Sequence, residues 1–209
     1  MSRTAIENTL AALRKDLLDP EGPRITNMRN FRFAILPYPP DCEFAMRELS
    51  RRLTDELKGK GWNVFELSAQ RLLTRRLQSE DPEVLQSWIA REHRQFQRNP
   101  DRALQGALDN LEKLVGGDDG LAQDAVEEIN RLADEHQVDV DKTLVWITRM
   151  GSLYPFFRTS TLLKHLDGKT RQIPVVVLYP GTQEDKTALS FMGVLPADRD
   201  YRPRIYSPP

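Results

Sequence analysis

"VVVLYPGTQEDKT", Val175–Thr187, starts as an apolar run, breaks at Pro-Gly and reaches Lys-Thr a few residues later. A strand that ends in a glycine and then Lys-Thr invites comparison with a phosphate-binding loop. That loop requires G-x-x-x-x-G-K-[ST], because the glycines let backbone N–H groups wrap the phosphates ahead of a helix N-terminus. Here the second glycine is missing before Lys186-Thr187, and Glu184 and Asp185 place two carboxylates where phosphate oxygens must sit. The next segment, "ALSFMGV" (Ala188–Val194), is patterned as a strand rather than a helix. The stretch therefore predicts a buried strand and then a hairpin loop begun by Pro180-Gly181 and solvated by Gln183–Lys186.

Working outward, "TLVWITR" (Thr143–Arg149) is a strand, "GSLYPFFRTSTLLKHLDG" a helix capped by Ser152 with Pro155 in its first turn, and "IPVVVLYP" the next strand. Strand, helix, strand predicts a βαβ unit. A second unit lies near the N-terminus. "FRFAIL" (Phe31–Leu36) is a strand; Asp41 caps a helix carrying Ala45, Leu49, Leu53 and Leu57; "WNVFEL" (Trp62–Leu67) is the next strand. Its crossover is expected to be right-handed. Ahead of it, Ile6, Leu10, Leu13 and Leu17 form one apolar stripe of a helix.

Residues 68–137 read as wholly helical. Ser68, Asp81-Pro82 and Asn99-Pro100 mark helix starts. Leu85, Trp88, Ile89 and Phe96 form the apolar face of one helix, and Leu104, Leu108 and Leu111 that of the next. "YRPRIY" (Tyr201–Tyr206) supplies a short edge strand that tolerates Pro203. The reading is one α/β domain over 1–209. It has a mostly parallel sheet with flanking helices, a Rossmann-like or degenerate P-loop-like core, and 68–137 as a helical insertion.

The chain has 209 residues, 39% hydrophobic and 29% charged, with a formal net charge of −1. No global field draws it onto nucleic acid or an anionic membrane. Cys42 is the only cysteine, so no internal disulfide forms, which fits a reducing compartment. The N-terminal residues carry charges throughout, and no apolar run approaches the roughly 20 residues of a membrane helix. A cytoplasmic protein with no membrane contact is the expectation.

Candidate chemistry is sparse. "PYPPDCEF" follows the first strand, and its prolines remove N–H donors that a phosphate cradle would need. His93, His136 and His165 are far apart and form no H-x-x-x-H pair, so no metal or other cofactor is expected. Cys42 sits near a helix start, where thiols can be activated, although its apolar setting favours a core role. No G-x-S-x-G elbow is present. Arg71, Arg75 and Arg76, and again Arg91, Arg94 and Arg98, read as solvated helix faces.

If the strands are parallel, the loops after them share one sheet edge, which gathers Tyr38, Arg149, Gly151, Ser152, Tyr179, Gly181 and Thr182 as partner- or ligand-facing residues. Arg158, the only charge between Arg149 and Lys164, needs a carboxylate or carbonyl partner. Arg158→Ala is therefore expected to harm folding or assembly far more than Lys186→Ala. The tail arginines Arg202 and Arg204, with Arg199, fit phosphate contacts or, equally, a partner-docking strand.

Four phrases in order, "VWITRMGSLYPFFRTSTLLKHL", "IPVVVLYPGT", "ALSFMGV" and "YRPRIY", resemble the BrxB family, a small component of BREX phage-defence systems. The length and the helical half agree with that resemblance. It implies a place in an assembly with a DNA methyltransferase (PglX), an alkaline-phosphatase-like protein (PglZ) and a large ATPase (BrxC). A non-catalytic adaptor that contacts the PglZ-like and BrxC-like proteins is the leading expectation. A degenerate nucleotide-binding protein and a nucleic-acid-binding subunit are the alternatives. The resemblance carries over no catalytic residue.

Overall fold

The computed structural model describes residues 3–25, 32–185, 187–199 and 201–207. In chain order the elements are α1 (Arg3–Leu17), β1 (Phe33–Tyr38), α2 (Glu43–Gly59), β2 (Asn63–Ser68), α3 (Ala69–Ser79), α4 (Pro82–Phe96), α5 (Pro100–Val115), α6 (Leu121–His136), β3 (Thr143–Thr148), α7 (Thr159–Leu166), β4 (Val175–Asp185), β5 (Ala188–Phe191) and β6 (Arg204–Ile205). Strands pair in the order β2-β3-β4-β1-β6, all parallel, and β5 pairs antiparallel with the far half of β4. The expected α/β architecture, a mostly parallel sheet with flanking helices, is what the chain forms. Phe31, read as the start of the first strand, lies outside the described residues.

Strand alternation divides the core. Ala34, Leu36, Trp146, Val176 and Leu178 face α1 and α2, meeting Ile6, Leu13, Met46, Leu53 and Leu57. Phe33, Ile35, Ile147, Val175 and Val177 face α3, α6 and α7, meeting Leu72, Leu121, Ile129, Leu162 and Leu166. A sheet covered on both faces explains why β1, β3 and the first half of β4 read as unbroken apolar runs. The crossover from β1 to β2 passes over the α2 face and travels to the sheet edge. Those from β2 to β3 and β3 to β4 return over the other face, so all three share one hand. Pro37 sits inside β1 without cost. The Ile35 carbonyl accepts from the Tyr206 N–H at 2.9 Å, so Pro37 faces the same side beyond the end of β6, where no ladder donor is required.

Three of the five caps read from the sequence appear: Ser68 accepts from the Arg71 N–H, Asp81 from Glu83 and Asn99 from Arg102, whereas Ser152 lies inside a 3-10 turn with its hydroxyl on the Arg149 carbonyl and caps no helix. Asp41 likewise lies within a 3-10 turn (Pro40–Cys42), and Cys42 occupies the N-cap of α2. Residues 150–168 are not one helix. A 3-10 turn over Met150–Leu153 gives way to extended backbone at Tyr154, followed by a cis Tyr154-Pro155 bond, and α7 starts only at Thr159. The proline explains the break, because its ring disfavours helical backbone in the residue before it.

The hairpin after β4 exists, but Pro180-Gly181 does not begin it. Strand β4 runs on to Asp185, and Gly181 is paired with Phe191. A Cβ on Gly181 would lie 2.2 Å from the Ser190 carbonyl oxygen and 2.5 Å from the Tyr179 ring, so glycine is there for close approach rather than for a turn.

Candidate functional site

The chain leaves β1 toward one face of the sheet and β3 toward the other. That reversal opens a crevice of about 260 Å³ where the parallel half of β4 ends at Pro180. Its walls are Pro40 and Glu43 on one side and Arg149, Gly151 and Ser152 on the other, with Pro180 and Met192 as floor. Arg149 adopts left-handed backbone, φ 60°, and its guanidinium stands 3.9 Å from the Glu43 carboxylate. The Ser152 hydroxyl is turned back onto the Arg149 carbonyl at 2.8 Å.

The two tyrosines expected at this edge are buried and committed. The Tyr38 hydroxyl donates to Glu43; burial first, and then that carboxylate, holds it protonated far above the usual phenol range. The Tyr179 hydroxyl donates to the Leu189 carbonyl at 3.3 Å, and burial followed by neighbouring Tyr201 raises it likewise. Gly181 is buried, while Thr182 is exposed on the β4–β5 ribbon.

The remaining sequence candidates lie elsewhere. Arg158 is not inside a helix. It precedes α7, its side chain is 44% exposed, and it stands 4.0 Å from Asp198. Lys186, its intended comparison, lies outside the described residues. Arg202 is 4.0 Å from Asp167. Arg204 pairs with Asp16 at 2.9 Å and lies over the Tyr206 ring at 4.6 Å, while the Tyr206 hydroxyl donates to Asp16 at 2.7 Å. This arginine clamps β6 to the end of α1.

The first arginine cluster is partly structural. Arg76 donates to Asp124 and to the Leu114 and Asp119 carbonyls, and Arg75 reaches Glu128 at 3.3 Å. Cys42 is half-buried against the α1/α2 core. Desolvation, and then Asp41, pushes its thiol above the ordinary value, so the helix start does not activate it. Among the described residues no group of three metal-ligating side chains is assembled.

Two surfaces emerge that the sequence reading did not single out as sites. The first is an apolar groove of about 310 Å³ between α4 and α5, floored by Leu77, Leu85, Trp88 and Leu111. Helix α4 is amphipathic, yet none of its residues is buried. Ile89, Phe96 and Leu104 stay 57%, 61% and 61% exposed. The second is a polar groove of about 460 Å³ between α2 and the β2–β3 edge, bordered by Arg47, Arg51, Lys58 and Arg149. The spacing of Arg47, Arg51 and Lys58, at i, i+4 and i+11, was the available signal, since it puts all three on one side of α2.

Among the described residues no helix is long and apolar enough to cross a membrane. No curated protein and no solved structure matches the chain. A family model, BREX protein BrxB, does match, over residues 65–205, from within β2 through the whole helical block to the end of β6. With more than half its length under that match, and with the phrases from Val145 to Tyr206 set on the sheet and ribbon as described, the chain belongs to the BrxB family of BREX proteins.

Proposed function

We propose that the protein is a non-catalytic adaptor of a BREX defence complex, bridging a PglZ-like phosphatase-fold protein and a BrxC-like ATPase. Membership of the BrxB family supplies the system. The uncovered face of α4 carries the adaptor reading. An amphipathic helix gains most of its stability by burying its apolar face. Here α4 packs mainly on α5 and leaves the groove and the flanking Ile89, Phe96 and Leu104 open. Such a groove suits an amphipathic helix from another protein. Arg91 at its edge, with Arg98 and Arg102 at the hairpin tip, forms no ion pair among the described residues, which favours an acidic flank on that partner. The sheet edge supports the same reading, because the hydroxyls of Tyr38 and Tyr179 are tied up internally and neither tyrosine lines the crevice.

Co-expression with the other system components, followed by affinity purification, tests the reading. The wild-type chain should retain at least one partner. The Ile89→Ser/Phe96→Ser double variant should lose it at an unchanged midpoint of thermal unfolding, since anchors of this kind are worth about 2 kcal/mol or more each in an interface. A chain that stays alone among all components refutes the adaptor. A double variant that keeps its partners refutes the hairpin as the contact.

A further inference from the structure

The polar groove beside α2 is independent of the hairpin and of the adaptor reading. Among the described residues most arginines have a carboxylate within reach. On α2 itself, Arg52 pairs with Glu48 at 2.5 Å, and on α1 Arg14 reaches Glu56 at 2.5 Å. Arg47, Arg51 and Lys58 differ: among the described residues none of them forms an ion pair. Arg149 closes the same groove with only the 3.9 Å approach of Glu43. Four cations therefore border a space that holds two carboxylates, Asp55 and Glu66, and Glu66 is already engaged by the Thr148 hydroxyl at 2.8 Å. The wall is fixed, because the Trp146 indole N–H donates to Thr54 at 3.0 Å.

The same side of α2 carries a second feature. Phe44, one turn before Arg47, is 79% exposed, and the Arg47 guanidinium stands 5.7 Å from its ring centre. Phe44, Arg47, Arg51 and Lys58 form one stripe, at i, i+3, i+7 and i+14. The stripe is about 21 Å long at the helical rise. An exposed aromatic at the head of a row of unneutralised cations is the combination that binds single strands: bases stack on the ring, and the backbone follows the charge. A duplex would hide its bases from Phe44. A free nucleotide would engage only one end of the row.

We propose that the α2 groove binds single-stranded nucleic acid, with Phe44 as a base-stacking platform and Arg47, Arg51, Lys58 and Arg149 along the phosphates. The test is fluorescence anisotropy of the full chain with fluorescein-labelled dT12, rU12 and a 12-base-pair duplex, with ATP as competitor. At about 50 mM salt, dT12 or rU12 should bind with a Kd of about 1–100 µM, and the tighter of the two identifies the strand. The slope of log K against log salt should be about −2 to −3, as expected for three or four phosphate contacts on a single strand.

Arg47→Ala/Arg51→Ala should make that slope less negative by about 1.4. Phe44→Ala should weaken binding about 5- to 150-fold at an unchanged slope. Arg52→Ala, which removes a cation that already has Glu48, should change neither. These side chains are exposed or free of ion pairs, so the variants should fold. Three results overturn the proposal: no anisotropy change at about 100 µM protein, duplex or ATP binding as tightly as the single strand, or Phe44→Ala binding like wild type.

Discussion

Replacing Gly181 by alanine asks whether β4 continues through Pro180-Gly181 or turns there. The added Cβ would meet the Ser190 carbonyl oxygen at 2.2 Å and the Tyr179 ring at 2.5 Å, whereas ordinary contact begins near 3.4 Å. The strands must separate by about 1 Å where the Met192 N–H donates to the Pro180 carbonyl at 2.8 Å. Tyr179 cannot yield, being buried between Phe191 and Tyr201 with its hydroxyl on Leu189. Overpacking of this kind costs about 1–3 kcal/mol, and one weakened ladder hydrogen bond adds about 1 kcal/mol. The expected loss is about 3 kcal/mol, and for a chain of this length Tm should fall by about 6–12 °C.

Gly193→Ala is the control. Its φ is +67°, but nothing lies nearer than 3.9 Å, so it should cost only the left-handed backbone strain of about 1–2 kcal/mol. Urea unfolding followed by circular dichroism, with m compared across variants, reads both. A Gly181→Ala protein within about 0.5 kcal/mol of wild type, or one less damaged than Gly193→Ala, refutes the continuous strand.

Arg76→Ala should destabilise by about 2 kcal/mol, since its charged hydrogen bonds tie α3 to α6 and to the turn before α6. Arg75→Ala, at a more exposed pair, should cost under about 1 kcal/mol in the same urea titration. Arg158→Ala should also stay within about 1 kcal/mol, because the 4.0 Å contact with Asp198 is solvated; a larger loss restores the sequence expectation of an indispensable guanidinium. Iodoacetamide should alkylate Cys42 more slowly than free cysteine at pH 8, as its thiol is raised by burial and Asp41; faster alkylation contradicts that environment. Glu128 is held below the ordinary 4.5 by Arg131 and then Arg75, so its contribution is complete above about pH 5 and drains away as pH falls through the depressed value. The urea midpoint of wild type should therefore drop more steeply below about pH 4.5 than that of Glu128→Gln, and parallel curves would contradict the pairing.

The features legible in the sequence were local. Ser68, Asp81 and Asn99 cap helices because a side-chain oxygen meets an N–H two or three residues on, and no distant group intervenes. The apolar runs of β1, β3 and β4 announce a sheet covered on both faces. The misreadings arose where one residue type serves two purposes. Gly181 looked like a turn former because Pro-Gly usually is one, whereas the need was for space beside Tyr179 and Ser190. Pro155 looked tolerable in a first helical turn, but it holds Tyr154 extended. The periodicity of Leu85, Trp88, Ile89 and Phe96 shows an apolar face without saying whether this chain covers it. Likewise the leucines of α2 drew the eye to its core side, although Phe44, Arg47, Arg51 and Lys58 were just as regularly spaced on another.

Helix α4 buries none of its own residues. The side chains on its outer face are therefore not held in place by the needs of folding, and only what docks there can constrain them. Substitutions that reshape Ile89, Phe96 or their arginine neighbours can accumulate without loss of the sheet, whereas equivalent changes in α6, anchored through Leu121, Ala125 and Ile129, would unfold the core. Under the proposed adaptor role, the hairpin is a detachable specificity element. Grafting α4 and α5 from another member of the family onto this sheet should transfer the choice of partner while leaving the scaffold's own melting behaviour as it was.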